Sequence, residues 1–264
     1  MKKRKIKVPV KPAASAAAVV LILFISFNLL ATAARNSRLF IVRDVIVRQD
    51  IASGEKIDLS FLAGRNIMDI NLQEQERNIT KLYPGYNQIK LVRIFPDRLF
   101  AYFIKRKPVA AVKLNRYFCV DENAVLFDMP AAGSAASIEL PVIYGLQGKI
   151  PAPQPGRKYN VRELLLAVNL TKVVKNNRQL RGLKIIRIDV TNPANASLSV
   201  SLPAMAQAKV PAGMEIKVGQ DYLADKMNIL ASLLIQGRSD WDNIKYIDLR
   251  FKEPVIKFKD KAKK

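Results

Sequence analysis

The chain has 264 residues, half of them hydrophobic, and carries 44 Lys and Arg against 22 Asp and Glu, a formal charge of +22. It has no histidine and one cysteine, which excludes an intramolecular disulfide, a thiolate metal cluster and imidazole chemistry of any kind. The length fits one or two domains, and the composition points to a binding protein rather than an enzyme.

The positive charge is concentrated at the ends. Lys2, Lys3, Arg4, Lys5, Lys7 and Lys11 contribute six, and five lysines less Asp260 in the last eight residues contribute four, leaving +12 elsewhere. This predicts a basic tail over 1–12 and a Lys-rich tail over 258–264. The remaining charge suits anionic lipid, nucleic acid or an acidic wall polymer. No nucleic-acid-binding motif accompanies it, so nucleic acid is not expected as a partner.

AASAAAVVLILFISFNLLATAA, residues 13–34, has no formal charge over 22 residues. At about 1.5 Å per residue such a helix crosses a hydrocarbon core of about 30 Å. The basic cluster before it places the N-terminus in the cytoplasm and residues 35–264 outside. The competing reading is a cleavable signal peptide with Ala31-Thr32-Ala33 at the cleavage site. The apolar run is longer than the roughly 7–15 residues of a signal core, which favours an uncleaved anchor. Asn28 is either tolerated there or a polar contact to a partner helix.

Beyond the anchor, LFIVRDVIVR (39–48) predicts a strand. Ser53 is placed to cap a short helix through Leu62, and Asn71 with Glu74 to open a second helix with Leu72, Ile79 and Leu82 on one face. Tyr83-Pro84-Gly85 stops it. YNQIKLVRIF alternates, Pro96-Asp97 turns the chain, and RLFAYFIKRK returns as a strand. Two helices on a three-stranded sheet make a small α+β module.

From Pro108 onward short strands predominate. PVAAVKLNRYFCVDENAVLFD predicts strands joined by a turn at Asp121-Glu122-Asn123, with Cys119 a buried, inert thiol. An Ala/Gly/Ser-rich loop follows at 130–137. Asn160 and Glu163 cap a helix in which Val161, Leu164, Leu165 and Val168 share a side. LKIIRIDV, SLSVSL and EIKVG are strand-like. Asp221 starts a helix with Leu223, Met227, Leu230 and Leu234 as its core stripe, ending at Gln236-Gly237. KYIDLRFKEPVIKF (245–258) closes the chain. Ile247, Leu249 and Phe251 alternate with Asp248, Arg250 and Lys252, which predicts one strand with one buried face. Pro254 inside it predicts an edge strand.

No nucleophile elbow, phosphate-cradling loop, paired metal carboxylates or Ser/Lys dyad is present. Gly145-Leu-Gln-Gly148 is too short and wrongly flanked for a nucleotide loop. No catalytic residue, cofactor or metal is therefore expected.

The order of these pieces resembles the FtsQ/DivIB family of bacterial cell-division proteins across nearly the whole chain. The resemblance rests on RIFPDRLFAYFIKRKPVAAV (93–112), VDENAVLFD (120–128), MEIKVG (214–219) ahead of a helix bearing Lys226, and YIDLRF (246–251). Lys105-Arg106 stands where the family usually has Glu-Arg, and Gln49-Asp50 where a Gly-Asn turn is common. The resemblance implies an α+β protein with a single transmembrane helix, a POTRA domain over 38–107 in β-α-α-β-β order, and a β-rich domain with two or more helices over 108–257. It further implies a non-catalytic scaffold of the inner membrane at the division septum. Such a scaffold binds FtsB/FtsL-like (DivIC/FtsL) coiled-coil partners and helps regulate septal peptidoglycan synthesis.

In that family the partner adds a strand at the exposed C-terminal edge. By motif position Arg250 and Phe251 are the expected partner-binding residues, and by strand geometry Lys252 and Val255 join them. Arg250 is then expected to meet a partner carboxylate. The opposing reading makes Asp248 and Arg250 a solvated strand face, with Lys252 and Pro254 guarding the edge against aggregation. Two other functions stay open: an exported POTRA-type polypeptide-binding chaperone, and a membrane-anchored wall enzyme or cell-wall/polyanion-binding protein.

Overall fold

The structure, a computed structural model, describes residues 10–48, 56–129, 139–201, 214–236 and 244–259, with the side chains at 10–17, 31 and 34–36 not described. The Ala-, Gly- and Ser-rich stretch at 130–137, Gly237 and the tails at 1–9 and 260–264 lie outside the described residues. Residues 1–80 and 88–104 cluster into one compact unit, and residues 81–87 and 105–264 into a second.

Helix α1 runs Val10–Asn36. Alanine and leucine dominate it, and Pro12 falls in the first turn, where its missing N–H breaks no intrahelical bond. Asn28 Nδ2 donates to the Phe24 carbonyl at 2.7 Å, and Thr32 Oγ1 donates to the Asn28 carbonyl at 2.8 Å. Both side chains thus find partners inside their own helix, so Asn28 needs no second helix to satisfy it. Every described side chain from 18 to 30 is exposed. Among the described residues, no helix is long and apolar enough to cross a membrane. The predicted span includes residues 13–17, 31 and 34, whose side chains are not among them.

In the first unit, strands β1 (Asp44–Arg48), β2 (Tyr86–Ile94) and β3 (Arg98–Lys105) form a sheet in the order β1-β3-β2, with β1 parallel to β3. Helix α2 (Leu72–Leu82) follows the predicted capping pattern: Asn71 Oδ1 accepts the Glu74 N–H at 3.3 Å. Ile79 of α2 is fully buried with Leu62, Ile67, Ile70 and Leu99. Glu76 Oε1 accepts the Leu91 N–H of β2 at 2.8 Å, so the helix also satisfies part of that strand's outer edge.

Two expectations fail in this unit. The strand predicted over 39–48 begins only at Asp44, because Ser37 Oγ accepts the Leu39 N–H and nucleates a 3-10 turn at Arg38–Phe40. Of the helix predicted from Ser53 to Leu62, residues 53–55 lie outside the described residues, and the remainder holds a single 3-10 turn at Ser60–Leu62. Asp58 Oδ1 accepts the Ser60 N–H at 2.9 Å, a local side-chain bond that competes with continuing a helix, and Gly64 at φ +78° closes the turn.

Among the described residues the second unit is built on nine strands. These are β4 (Ala110–Lys113), β5 (Tyr117–Val120), β6 (Leu126–Asp128), β7 (Val142–Tyr144), β8 (Lys184–Asp189), β9 (Ser197–Ser201), β10 (Met214–Lys217), β11 (Ile244–Asp248) and β12 (Val255–Phe258). Their order is β12-β11-β10-β9-β8-β7-β4-β5-β6. The β4–β7, β7–β8 and β10–β11 pairs are parallel and the remaining pairs antiparallel. Helices α3 (Arg162–Asn176) and α4 (Leu223–Gln236) share one buried cluster with these strands.

The stripe Leu223, Met227, Leu230 and Leu234 is buried as predicted. On α3 the cap position is Val161, with no side-chain cap bond, and Leu165 is 43% exposed rather than part of the core stripe. Gly145, in the Gly-Leu-Gln-Gly run, has φ +93°, and a Cβ there would stand 2.3 Å from the Thr191 backbone N. Close approach of two chain segments is what that glycine permits.

Candidate partner-binding site

A sheet with two ends has two edges, and each presents unpaired backbone groups unless something covers it. At the β6 end the chain covers its own edge. Leu126 N–H donates to the Arg157 carbonyl at 3.1 Å, Gly156 N–H to the Leu126 carbonyl at 2.7 Å, and Tyr159 N–H to the Ala124 carbonyl at 2.9 Å. At the other end β12 pairs only with β11, in an antiparallel register of Ile247 with Ile256 and Asp248 with Val255. Among the described residues, no strand lies on its outer side.

The C-terminal stretch is therefore a hairpin rather than the single strand expected. β11 ends at Asp248, Leu249 stays buried, and residues 249–254 form the connection to β12. Pro254 precedes the edge strand instead of interrupting it. Phe251, expected on the buried face, is 62% exposed because the alternation ends three residues before it. Period-two burial in the sequence cannot reveal that the chain leaves the sheet at Asp248.

The cause of the turn is Asp248. Its side chain is only 6% exposed. Oδ1 accepts Arg250 N–H at 3.0 Å and Nε–H at 2.9 Å, and Oδ2 accepts Nη2–H at 2.5 Å. Arg250 Nη1 reaches Asn195 Oδ1 at 2.5 Å, and the guanidinium carbon lies 5.6 Å from the Phe251 ring centroid. Hydrogen bonding from Arg250 holds the Asp248 carboxyl below the usual carboxylate range, against the opposing effect of its burial. The reading of Asp248 and Arg250 as a solvated strand face is overturned, since Asp248 is buried and its partner is Arg250. The guanidinium expected to meet a partner carboxylate already holds one of its own.

Two further groups support this corner. Lys226 Nζ donates to the Val218 carbonyl at 2.7 Å, and burial lowers its pKa while Asp221 and Asp248 act to raise it. Gly219 has φ +69°, and a Cβ there would lie 3.1 Å from the Ala194 carbonyl and 3.6 Å from Arg250 Cγ. The glycine of MEIKVG and the lysine that follows thus sit against the Asp248–Arg250 corner.

What remains open on this edge is mainly apolar and cationic, with Glu253 the one exposed acid among the described residues there. Phe251 is 62% exposed, Val255 48% and Phe258 52%, while Ile256 packs against the core. Lys252 and Lys257 are exposed beside them. Of the four residues expected at a partner surface, Phe251, Lys252 and Val255 are accessible and Arg250 is engaged within the chain. Phe258 was not anticipated. Its only sequence signal is its place in the closing hairpin, which requires knowing the register.

Comparison with known proteins matches residues 109–250 to the model of the C-terminal part of the cell division protein FtsQ/DivIB, more than half of the chain. Three curated relatives are each named cell division protein FtsQ. One from Koribacter versatilis is 23% identical over 193 residues, covering 73% of this chain and 52% of the relative. One from Geotalea daltonii is 22% identical over 204 residues, covering 76% and 69%. One from Syntrophotalea carbinolica is 24% identical over 193 residues, covering 73% and 64%. The chain thus spans about half the length of the first of these and about two thirds of the others. The family match ends at Arg250, so Phe251, Lys252 and β12 lie beyond it.

Proposed function

The chain belongs to the FtsQ/DivIB family of cell-division proteins, and from that premise we propose that it is a non-catalytic, single-pass scaffold that receives a partner strand at β12. The open edge at β12 carries this reading. The opposite edge of the same sheet is closed by residues 156–159, so among the described residues strand addition has one free end to use.

A four-residue edge offers only a few outward backbone groups, so affinity has to come largely from side chains. Phe251, Val255 and Phe258 supply apolar contacts, and Lys252 and Lys257 favour an acidic partner segment. The partners proposed are FtsB/FtsL-like coiled-coil division proteins, through which the scaffold would help regulate septal peptidoglycan synthesis. Arg250 is assigned to holding the loop that presents Phe251, rather than to the partner directly.

The membrane-spanning role is assigned to α1. Ten large apolar side chains between Val19 and Leu30, pointing in all directions, are each at least 49% exposed. At roughly 1.5–3 kcal/mol for each side chain removed from water, leaving them hydrated would cost on the order of 15–30 kcal/mol. Lipid on all sides removes that cost. The part of the first unit that follows α1 is read as a POTRA module outside the membrane, and the second unit as the β-domain.

The test is affinity purification of the full chain from solubilised membranes of its own source, beside a Phe251→Lys, Val255→Glu variant. A coiled-coil division protein of the FtsB/FtsL type should co-purify with the wild type and be lost from the variant at unchanged folded-state stability. Equal recovery by both proteins would place the binding surface elsewhere.

A further inference from the structure

The 3-10 turn at Arg38–Phe40 and the tip of the β2–β3 hairpin are built together at the exit of α1. Ser37 Oγ accepts the Leu39 N–H at 3.2 Å and its carbonyl accepts the Phe40 N–H at 3.3 Å, so the chain leaves the helix in an ordered turn. The turn is then tied into the first unit. Ile67 N–H donates to the Phe40 carbonyl at 2.8 Å, and Arg43 N–H to the Asp97 carbonyl at 2.8 Å. The Phe40 and Phe95 rings meet edge-to-face with centroids 6.3 Å apart.

This well-anchored corner nevertheless leaves its largest apolar side chains outside. Leu39 is 65% exposed, Phe95 55% and Ile94 41%. Arg38 adjoins Leu39 in the turn, and Arg43 and Arg98 both approach Asp97 at the hairpin tip. Asp97 lies 3.6 Å from Arg43 and 4.0 Å from Arg98, and Asp44 stands opposite Arg98 in the sheet register. With Arg93 beside Ile94 in β2 and Arg35 near the end of α1, arginines outnumber aspartates in these segments.

We propose that this corner is a membrane foot: Leu39, Phe95 and Ile94 enter the interfacial layer of the bilayer that α1 crosses, with the arginines at headgroup level. The proposal rests on the membrane-spanning reading of α1. Reach supports the lipid surface as the occupant. Leu39 follows the last residue of α1 by three positions, a distance of about 6 Å if the chain rises as a 3-10 turn and at most about 11 Å if extended. The interfacial layer on each side of the hydrocarbon core is about 5–8 Å thick. Apolar and aromatic side chains flanked by arginine are the composition that such a layer takes up.

The test is nitroxide labelling of cysteines introduced one at a time into the full chain with Cys119 replaced by alanine, reconstituted in vesicles of neutral phospholipid. The readout is the ratio of oxygen to water-soluble nickel-chelate accessibility. Labels replace Phe24 in α1, Leu39 and Phe95 in the foot, and Ile104, which lies six residues along β3 from Arg98, about 20 Å away. The expected ratio is highest at 24, intermediate at 39 and 95, and several-fold lower at 104. Phe95→Asp in the chain labelled at 39 should lower the ratio there. Hydrocarbon depth at 24 with water-like values at 39 and 95 would overturn the foot alone. Water-like values at 24 would overturn both the foot and the membrane-spanning reading.

Discussion

Arg106 and Asp121 form an ion pair inside the second unit, with Nη1 and Oδ2 2.5 Å apart and side chains only 8% and 5% exposed. The guanidinium also donates from Nε to the Pro84 carbonyl at 3.0 Å. Asp121 Oδ1 accepts the N–H groups of Asn123 and Val125, each at 2.9 Å, and so shapes the β5–β6 turn. Removing the acid therefore strands both a buried cation and two turn donors. Asp121→Ala should cost about 3–5 kcal/mol in denaturant unfolding, as for other buried pairs broken from one side. Arg106→Met should cost less, because Oδ1 keeps its turn bonds. Equal losses would show that the turn bonds contribute nothing.

The Asp248–Arg250 pair predicts a pH signature. The folded-state pKa of Asp248 lies below its unfolded value, chiefly through Arg250, so the stabilisation is complete above the unfolded value of about 3.9 and fades as pH falls through the lower folded value. Arg250→Met should destabilise the chain by a constant amount across neutral pH. The deficit should shrink once pH drops below about 4. Unfolding free energies of the two proteins, measured from neutral to acid pH, would test this; a deficit unchanged at the acid end would contradict it.

Phe251, Val255 and Phe258 should separate binding from folding. Each is about half or more exposed, so substitution by alanine should change unfolding free energy by no more than about 0.5 kcal/mol. Binding to the partner is expected to weaken by about 1–2 kcal/mol for Phe251→Ala or Val255→Ala, or roughly 5- to 30-fold in Kd, if these are interface anchors. Titration of the purified partner by calorimetry gives the value.

Cys119 lies in β5 with no exposed surface, and burial pushes its thiol up to about 11. At pH 8 it should resist a thiol-reactive disulfide reagent in the folded chain and react with one equivalent after denaturation. Fast reaction in the native state would mean that β5 opens.

Gly145→Ala is expected to be strongly disruptive although the glycine is only half-buried. The added methyl carbon would overlap the Thr191 backbone in a positive-φ conformation, and both chain segments would have to move. A thermal unfolding comparison with Gly148→Ala, where nothing stands within 4 Å of the added carbon, isolates the effect.

Sequence alone determined what depends on period and on local chemistry. The stripe of α4, the Asn71–Glu74 opening of α2 and the alternation through β2 and β3 were readable because burial follows 3.6- or 2-residue repeats within one segment. The absence of histidine and the single cysteine were equally plain. Local competition defeated the reading near Ser37 and Asp58, where one side-chain oxygen on a backbone N–H diverts the chain into a 3-10 turn. Tertiary structure alone decided which edge of the sheet is open, because covering β6 takes carbonyls and amides from residues 156–159, about thirty positions away. It also decided that Arg250 belongs to Asp248 and that Phe251 faces outward. A bidentate pair two residues apart ends the strand only when one carboxylate is buried by the rest of the fold, and burial of that kind comes from contacts between segments far apart in the chain.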